Sequence, residues 1–166
     1  MDRRSTVIQG ATAIGALADG VLVYLLDRQP TSVYFIPDWV ALANNLNPIF
    51  GEIGHYLPTF IHVYVFILLT TIIVAPSSAW IISICAAWFV VDSLFELAQF
   101  TPIDQWIAGN VPDWFTGIPF LENTSAYFIA GTFDVLDLLS IAAGTAAAYL
   151  TIRITQNRMK HHVYES

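Results

Sequence analysis

The chain has 166 residues, 56% hydrophobic and 11% charged, against about 45–50% apolar and about 25% charged for an ordinary soluble domain. That composition argues against a water-soluble fold and for a single membrane domain over residues 1–166. The formal net charge is −7, and all six basic residues sit near the termini or the first loop, at Arg3, Arg4, Arg28, Arg153, Arg158 and Lys160. No basic patch exists for nucleic acid. The lone Cys85 excludes an intrachain disulfide and a cysteine-based zinc cluster, and within its apolar run it reads as a small buried hydrophobe.

Residues 6–26 follow a basic N-terminus and are long enough for a hydrocarbon core that takes ~20 helical residues. Arg3 and Arg4 with Ala16, Leu17 and Ala18 imitate a signal peptide, but the apolar run continues past Asp19 to Leu26, as an uncleaved span would. A first loop over 27–58 carries Pro30, Pro37, Pro48 and Pro58 with Asn44, Asn45 and Asn47. These break any continuous helix and leave room for a short interfacial one around 38–46.

A second span, 59–75, ends at Pro76, and a third, 77–99, follows so closely that the two should form a helix hairpin. After a second loop over 100–124, a fourth apolar stretch over 125–152 is long enough to span with tilt or to include an interfacial turn. The tail over 153–166 is polar, and its His161 and His162 read as solvated rather than metal-binding. The predicted fold is all-α: about four transmembrane helices in an antiparallel bundle. Basic residues favour the cytoplasm, so both termini should be cytoplasmic and the two loops should face outward, with Trp39, Trp106 and Trp114 at the bilayer interface.

In the third span Asp92, Glu96 and Gln99 stand at i, i+4 and i+7, on one face of a helix. In the fourth, Asp134 and Asp137 lie three apart, roughly 14–18 Å along an unbroken helix. Gly144 and Ala148 continue that stripe and permit close helix contact; Ala143 and Ala147, and in the first span Gly10, Ala11 and Gly15, offer similar small-residue faces. His62, near the outer start of its span, and Asp19 bring ionisable groups to a comparable depth. A carboxylate at mid-bilayer costs at least ~2.5–3.5 kcal/mol. Between Arg28 and Arg153 there is no Lys or Arg. The acids should therefore be neutralised by protons, by a bound cation or by another chain.

The segments His62-Val-Tyr-Val-Phe66, Phe95-Glu96-Leu-Ala-Gln99 and Gly131-Thr-Phe-Asp134-Val-Leu-Asp137 through Gly144 occur in that order. Together they resemble the VanZ-like family of small bacterial membrane proteins over roughly residues 58–150. His62 matches the family's histidine, Glu96 and Gln99 its E-x-x-Q element, and Asp137 and Gly144 its Asp and Gly seven apart. Ala130 and Gly131 stand where an Arg often precedes the acidic motif, and Ile141 stands where an Asn is common. The resemblance implies a multi-pass protein of the bacterial inner membrane with, for some members, a link to glycopeptide resistance or the cell envelope. It carries over no reaction.

Three functions fit these residues. The leading one is a non-enzymatic protein whose outward cavity of His62, Asp92, Glu96, Gln99, Asp134 and Asp137 binds an envelope lipid, a cation or a protein partner. The second is an accessory subunit or homo-oligomer whose buried acids meet basic residues of a neighbour. The third is a metal-dependent enzyme on a lipid-linked substrate, with Glu96 or Asp137 as general base and a divalent cation held by His62, Glu96 and Asp137.

Overall fold

A computed structural model describes residues 3–27, 49–119 and 121–164, with side chains described as far as Asn157. Among the described residues the regular elements are all helical. They are α1 (Arg3–Asp27), α2 (Ile53–Val74), α3 (Trp80–Leu97), α4 (Ile103–Gly109), α5 (Thr124–Ala130) and α6 (Val135–Tyr164), with 3-10 turns at Asp113–Phe115 and Leu121–Asn123. Four helices, α1, α2, α3 and α6, are long and apolar enough to cross a membrane. The interfacial helix expected around 38–46, with Trp39, lies outside the described residues.

Helix α2 is rich in Ile, Val, Thr and aromatic residues, which in water have modest helix propensity. In hydrocarbon that preference is overridden, because a helix satisfies every backbone N–H and C=O within the segment. The helix starts six residues before the expected 59 and takes Pro58 inside it. Proline at this point removes only the N–H that would reach back to Gly54, so the remaining ladder holds. It stops at Ala75, whose left-handed conformation (φ 46°) directs its N–H to the Thr71 carbonyl at 3.0 Å, and Pro76 then prevents continuation.

The fourth apolar stretch is not one helix. It divides into α5 and α6 around residues 131–134, and α6 runs on through the predicted tail to Tyr164. The interfacial turn allowed for that stretch is therefore a complete break, and its consequences for the site are large.

Helix α2 lies against α1, α3 and α6. Its buried Ile61, Val63, Val65, Ile67 and Leu68 meet Ala13, Ile81, Ile141, Ala148 and Ile152 in one apolar core. Gly144 and Ala148 are buried on α6 as the small-residue stripe requires, and a Cβ at Gly144 would lie 2.5 Å from the Phe60 carbonyl oxygen. Gly15 does otherwise. It is exposed, and a methyl group added there would have nothing within 4 Å, because the first helix turns its opposite side, with Ala13 and Gly20, toward α2.

Two polar clasps close the packing. At one end the buried Gln9 donates from Nε2 to Thr155 Oγ1 at 2.8 Å and to Ser5 Oγ at 3.0 Å, tying α1 to α6. At the other, Asp27 accepts from the backbone N–H groups of Ile49 and Phe50, both at 2.8 Å, so one carboxylate anchors the chain where it approaches α2. Hydrogen bonds to charged groups contribute ~1.5–3 kcal/mol each when partly buried. Asp27→Ala should lower stability by about 2–3 kcal/mol, discounted for exposure at Ile49. Thermal unfolding in detergent measures this; an unchanged melting temperature would remove Asp27 from its anchoring role.

Candidate functional site

Helix α3 is patterned inside out. Its buried residues are Ile81, Cys85, Asp92 and Glu96, whereas Ile82, Val90, Leu94 and Phe95 are exposed. In water that arrangement would expose oil and hide charge; with lipid as solvent the apolar face is satisfied and the acids require an interior. That interior is a cavity of about 830 Å³ bounded by α2, α3, α5, the break before α6 and the end of α1.

The structure brings His62, Asp92, Glu96, Gln99 and Asp137 to this one cavity. Asp92 and Glu96 are 8% and 7% exposed. His62 is the more open partner and places Nδ1 3.3 Å from Asp92 Oδ2. Asp137, in the first turn of α6, accepts from Thr59 Oγ1 at 2.7 Å. Gln99 lies just past the end of α3, where its N–H bonds the Glu96 carbonyl, and its side chain donates to the Tyr127 hydroxyl at 3.3 Å. Gly131 makes room for that amide: a Cβ there would collide with Gln99 Oε1.

Asp134 has a different role from the one expected. Its Oδ1 accepts from Leu136 N–H at 2.8 Å, and its own carbonyl accepts from Asp137 N–H at 3.1 Å, so it caps the start of α6 instead of projecting from mid-helix. The depth expected for Asp134 and Asp137 along an unbroken helix is corrected accordingly: both stand at a helix beginning. Asp134→Ala should cost about 1 kcal/mol, the usual loss for a cap. Hydrogen exchange at Leu136 and Asp137 should rise in that variant, and unchanged protection there would count against the cap.

The break also supplies a compensation that counting basic residues does not reveal. Glu96 Oε1 accepts from Asp134 N–H at 2.7 Å, placing a buried carboxylate at the amino end of a long helix. Free N–H groups and the helix dipole favour negative charge at that position. Glu96 is thus held by backbone, and Asp137 by a threonine.

Several cavity residues had no place among the predicted ones. Tyr24 represents α1 there, while Asp19 is exposed on the other side of that helix. Thr59, His55 and Tyr127 also line it, and His62, Phe66 and Trp88 form an aromatic run with ring centroids 4.4 and 4.8 Å apart. The Gly131-Thr132-Phe133-Asp134 segment carried a usable signal, since Asp before an apolar periodic run is a helix-start pattern.

Among the described residues no three His, Cys, Asp or Glu side chains converge as a metal-binding group. His62, Glu96 and Asp137 engage different partners: Asp92, the Asp134 backbone and Thr59. The trio expected to hold a divalent cation does not form such a group among the described residues. No known protein family, no curated protein and no solved structure matches the chain. Acids, imidazoles, neutral donors and aromatic faces line that cavity, and no Lys or Arg is among its described lining residues.

Proposed function

We propose that this chain is a non-enzymatic, VanZ-like protein of the bacterial inner membrane that holds the headgroup of an envelope lipid in its acidic cavity. The observation that carries the reading is the burial of Asp92 and Glu96 on the interior face of a helix whose other faces are apolar and exposed, beside an open cavity of about 830 Å³. Cavities of this size accommodate drug-sized ligands.

In this reading the four long helices form an antiparallel bundle with both termini cytoplasmic. Its supports are the Gln9 to Thr155 bond between the start of α1 and the far part of α6, the approach of Gly54 to Asp27, and the basic Arg3, Arg4 and Arg153 far along the helices from the cavity. Trp106 and Trp114, both exposed beyond α3, fit the outer interface.

The test is native mass measurement of protein extracted gently from a phospholipid bilayer. A retained phospholipid is expected with the wild type and its loss with the Asp92→Asn/Glu96→Gln double variant. Bare protein in both samples, or equal retention in both, would sink the reading. An accessory-subunit role is a second reading, favoured by the exposed face of Ala11 and Gly15 that nothing within the described chain covers. A clean monomer with no co-purifying protein in the same spectrum counts against it.

A further inference from the structure

The charge and hydrogen-bond balance of the cavity specifies its ligand further. Asp92 engages His62 through Oδ2, and Glu96 engages Asp134 N–H through Oε1. Asp92 Oδ1 and Glu96 Oε2 accept no hydrogen bond from any described residue, yet both side chains are more than nine-tenths buried and line the cavity. Residues four apart on a helix hold their Cβ atoms about 5–6 Å from each other. Two carboxylate oxygens on one helix face, one turn apart, thus offer acceptors to a single small group that must bring donors.

The aromatic run sets the same requirement from the adjoining wall. Phe66 and Trp88 line the cavity with their rings 4.8 Å apart, and aromatic faces attract cations. Trp88 is oriented by its own hydrogen bond, Nε1 to Thr70 Oγ1 at 2.9 Å, so its N–H is not aimed at a ligand. Gln99 and Tyr127 supply neutral donors in the same cavity. No cationic side chain of the Lys or Arg type is present among the described lining residues to receive an anionic headgroup.

Resting on the lipid-binding reading above, we infer that the cavity selects a primary ammonium group, seated between Asp92 and Glu96 against Phe66 and Trp88, with an adjoining phosphate diester met by neutral donors. An ammonium carries three N–H donors on a compact charge, which answers two open carboxylate oxygens as a quaternary amine cannot. A phospholipid ending in a primary amine has this chemistry, and so does a free soluble amine.

The experiment measures binding to the purified full chain in detergent, by native mass and by Trp88-sensitive fluorescence, with four probes: phosphatidylethanolamine, phosphatidylcholine, phosphatidylglycerol and free ethanolamine. Phosphatidylethanolamine should bind about 10- to 100-fold more tightly than the other two lipids, the factor set by one charge-assisted hydrogen bond. Asp92→Asn and Glu96→Gln should each erase that preference while the thermal melt stays cooperative, and Asn and Gln preserve the contacts to His62 and Asp134 that folding uses.

Equal affinity for the three lipids overturns the ammonium inference and leaves the lipid reading standing. Binding of ethanolamine without any lipid keeps the ammonium and overturns the lipid source. Binding of none of the four overturns both, as does a preference for phosphatidylethanolamine that both variants retain in full.

Discussion

Gly144→Leu is expected to be the most damaging single change in the membrane core. A Cβ at this position would lie 2.5 Å from the Phe60 carbonyl oxygen and 2.6 Å from Val63 Cγ1. The carbonyl is backbone within α2 and cannot rotate aside, so the two helices must separate. Overpacking a tight core costs typically ~1–3 kcal/mol and occasionally more, and a backbone contact places Leu at the upper end. Gly144→Ala should already cost about 1 kcal/mol or more by the same contact. Gly15→Leu is the matched control: with open space around it, the change should stay within ~0.5 kcal/mol. Thermal melts of the three variants in one detergent make the comparison. If the Gly144 and Gly15 variants melted together, α2 and α6 would not approach each other through Gly144.

The second large effect is expected at Glu96, where stability and binding should come apart. Glu96→Ala removes the acceptor for Asp134 N–H and opens a void beside the cavity, with an expected loss of about 1.5–3 kcal/mol. Glu96→Gln keeps an oxygen for that N–H and removes a charge whose burial is itself costly, so its stability should lie within about 1 kcal/mol of the wild type. Ligand retention should nevertheless fall in both variants. Unfolding measured alongside lipid retention separates the two roles, and a Gln variant as unstable as the Ala variant would show that the charge itself holds the fold.

Much of the fold was legible because crossing a bilayer is a local demand. Each span must satisfy its own backbone, so the apolar stretches over 6–26, 59–75 and 77–99 overlap α1, α2 and α3, and their composition was enough to locate them. The shared face of Asp92 and Glu96 was likewise legible, since their spacing and the helical period place them together whatever surrounds them. Pro58 misled the start of α2, because proline near a helix beginning costs one hydrogen bond and not the helix.

Composition and spacing were thus sufficient for four long apolar helices and for an α3 that turns its acids inward. What meets those acids was settled by tertiary packing. A buried carboxylate announces that it needs a partner, but the partner's identity is a long-range matter: Thr59 reaches Asp137, His62 reaches Asp92, and Tyr24 in place of Asp19 joins the cavity from α1. The break at 131–134 belongs to the same class. An apolar run long enough to stay helical is interrupted where Asp134 caps α6 and presents its N–H to Glu96, so a buried acid with no Lys or Arg among the described residues lining its cavity is met by the end of a helix.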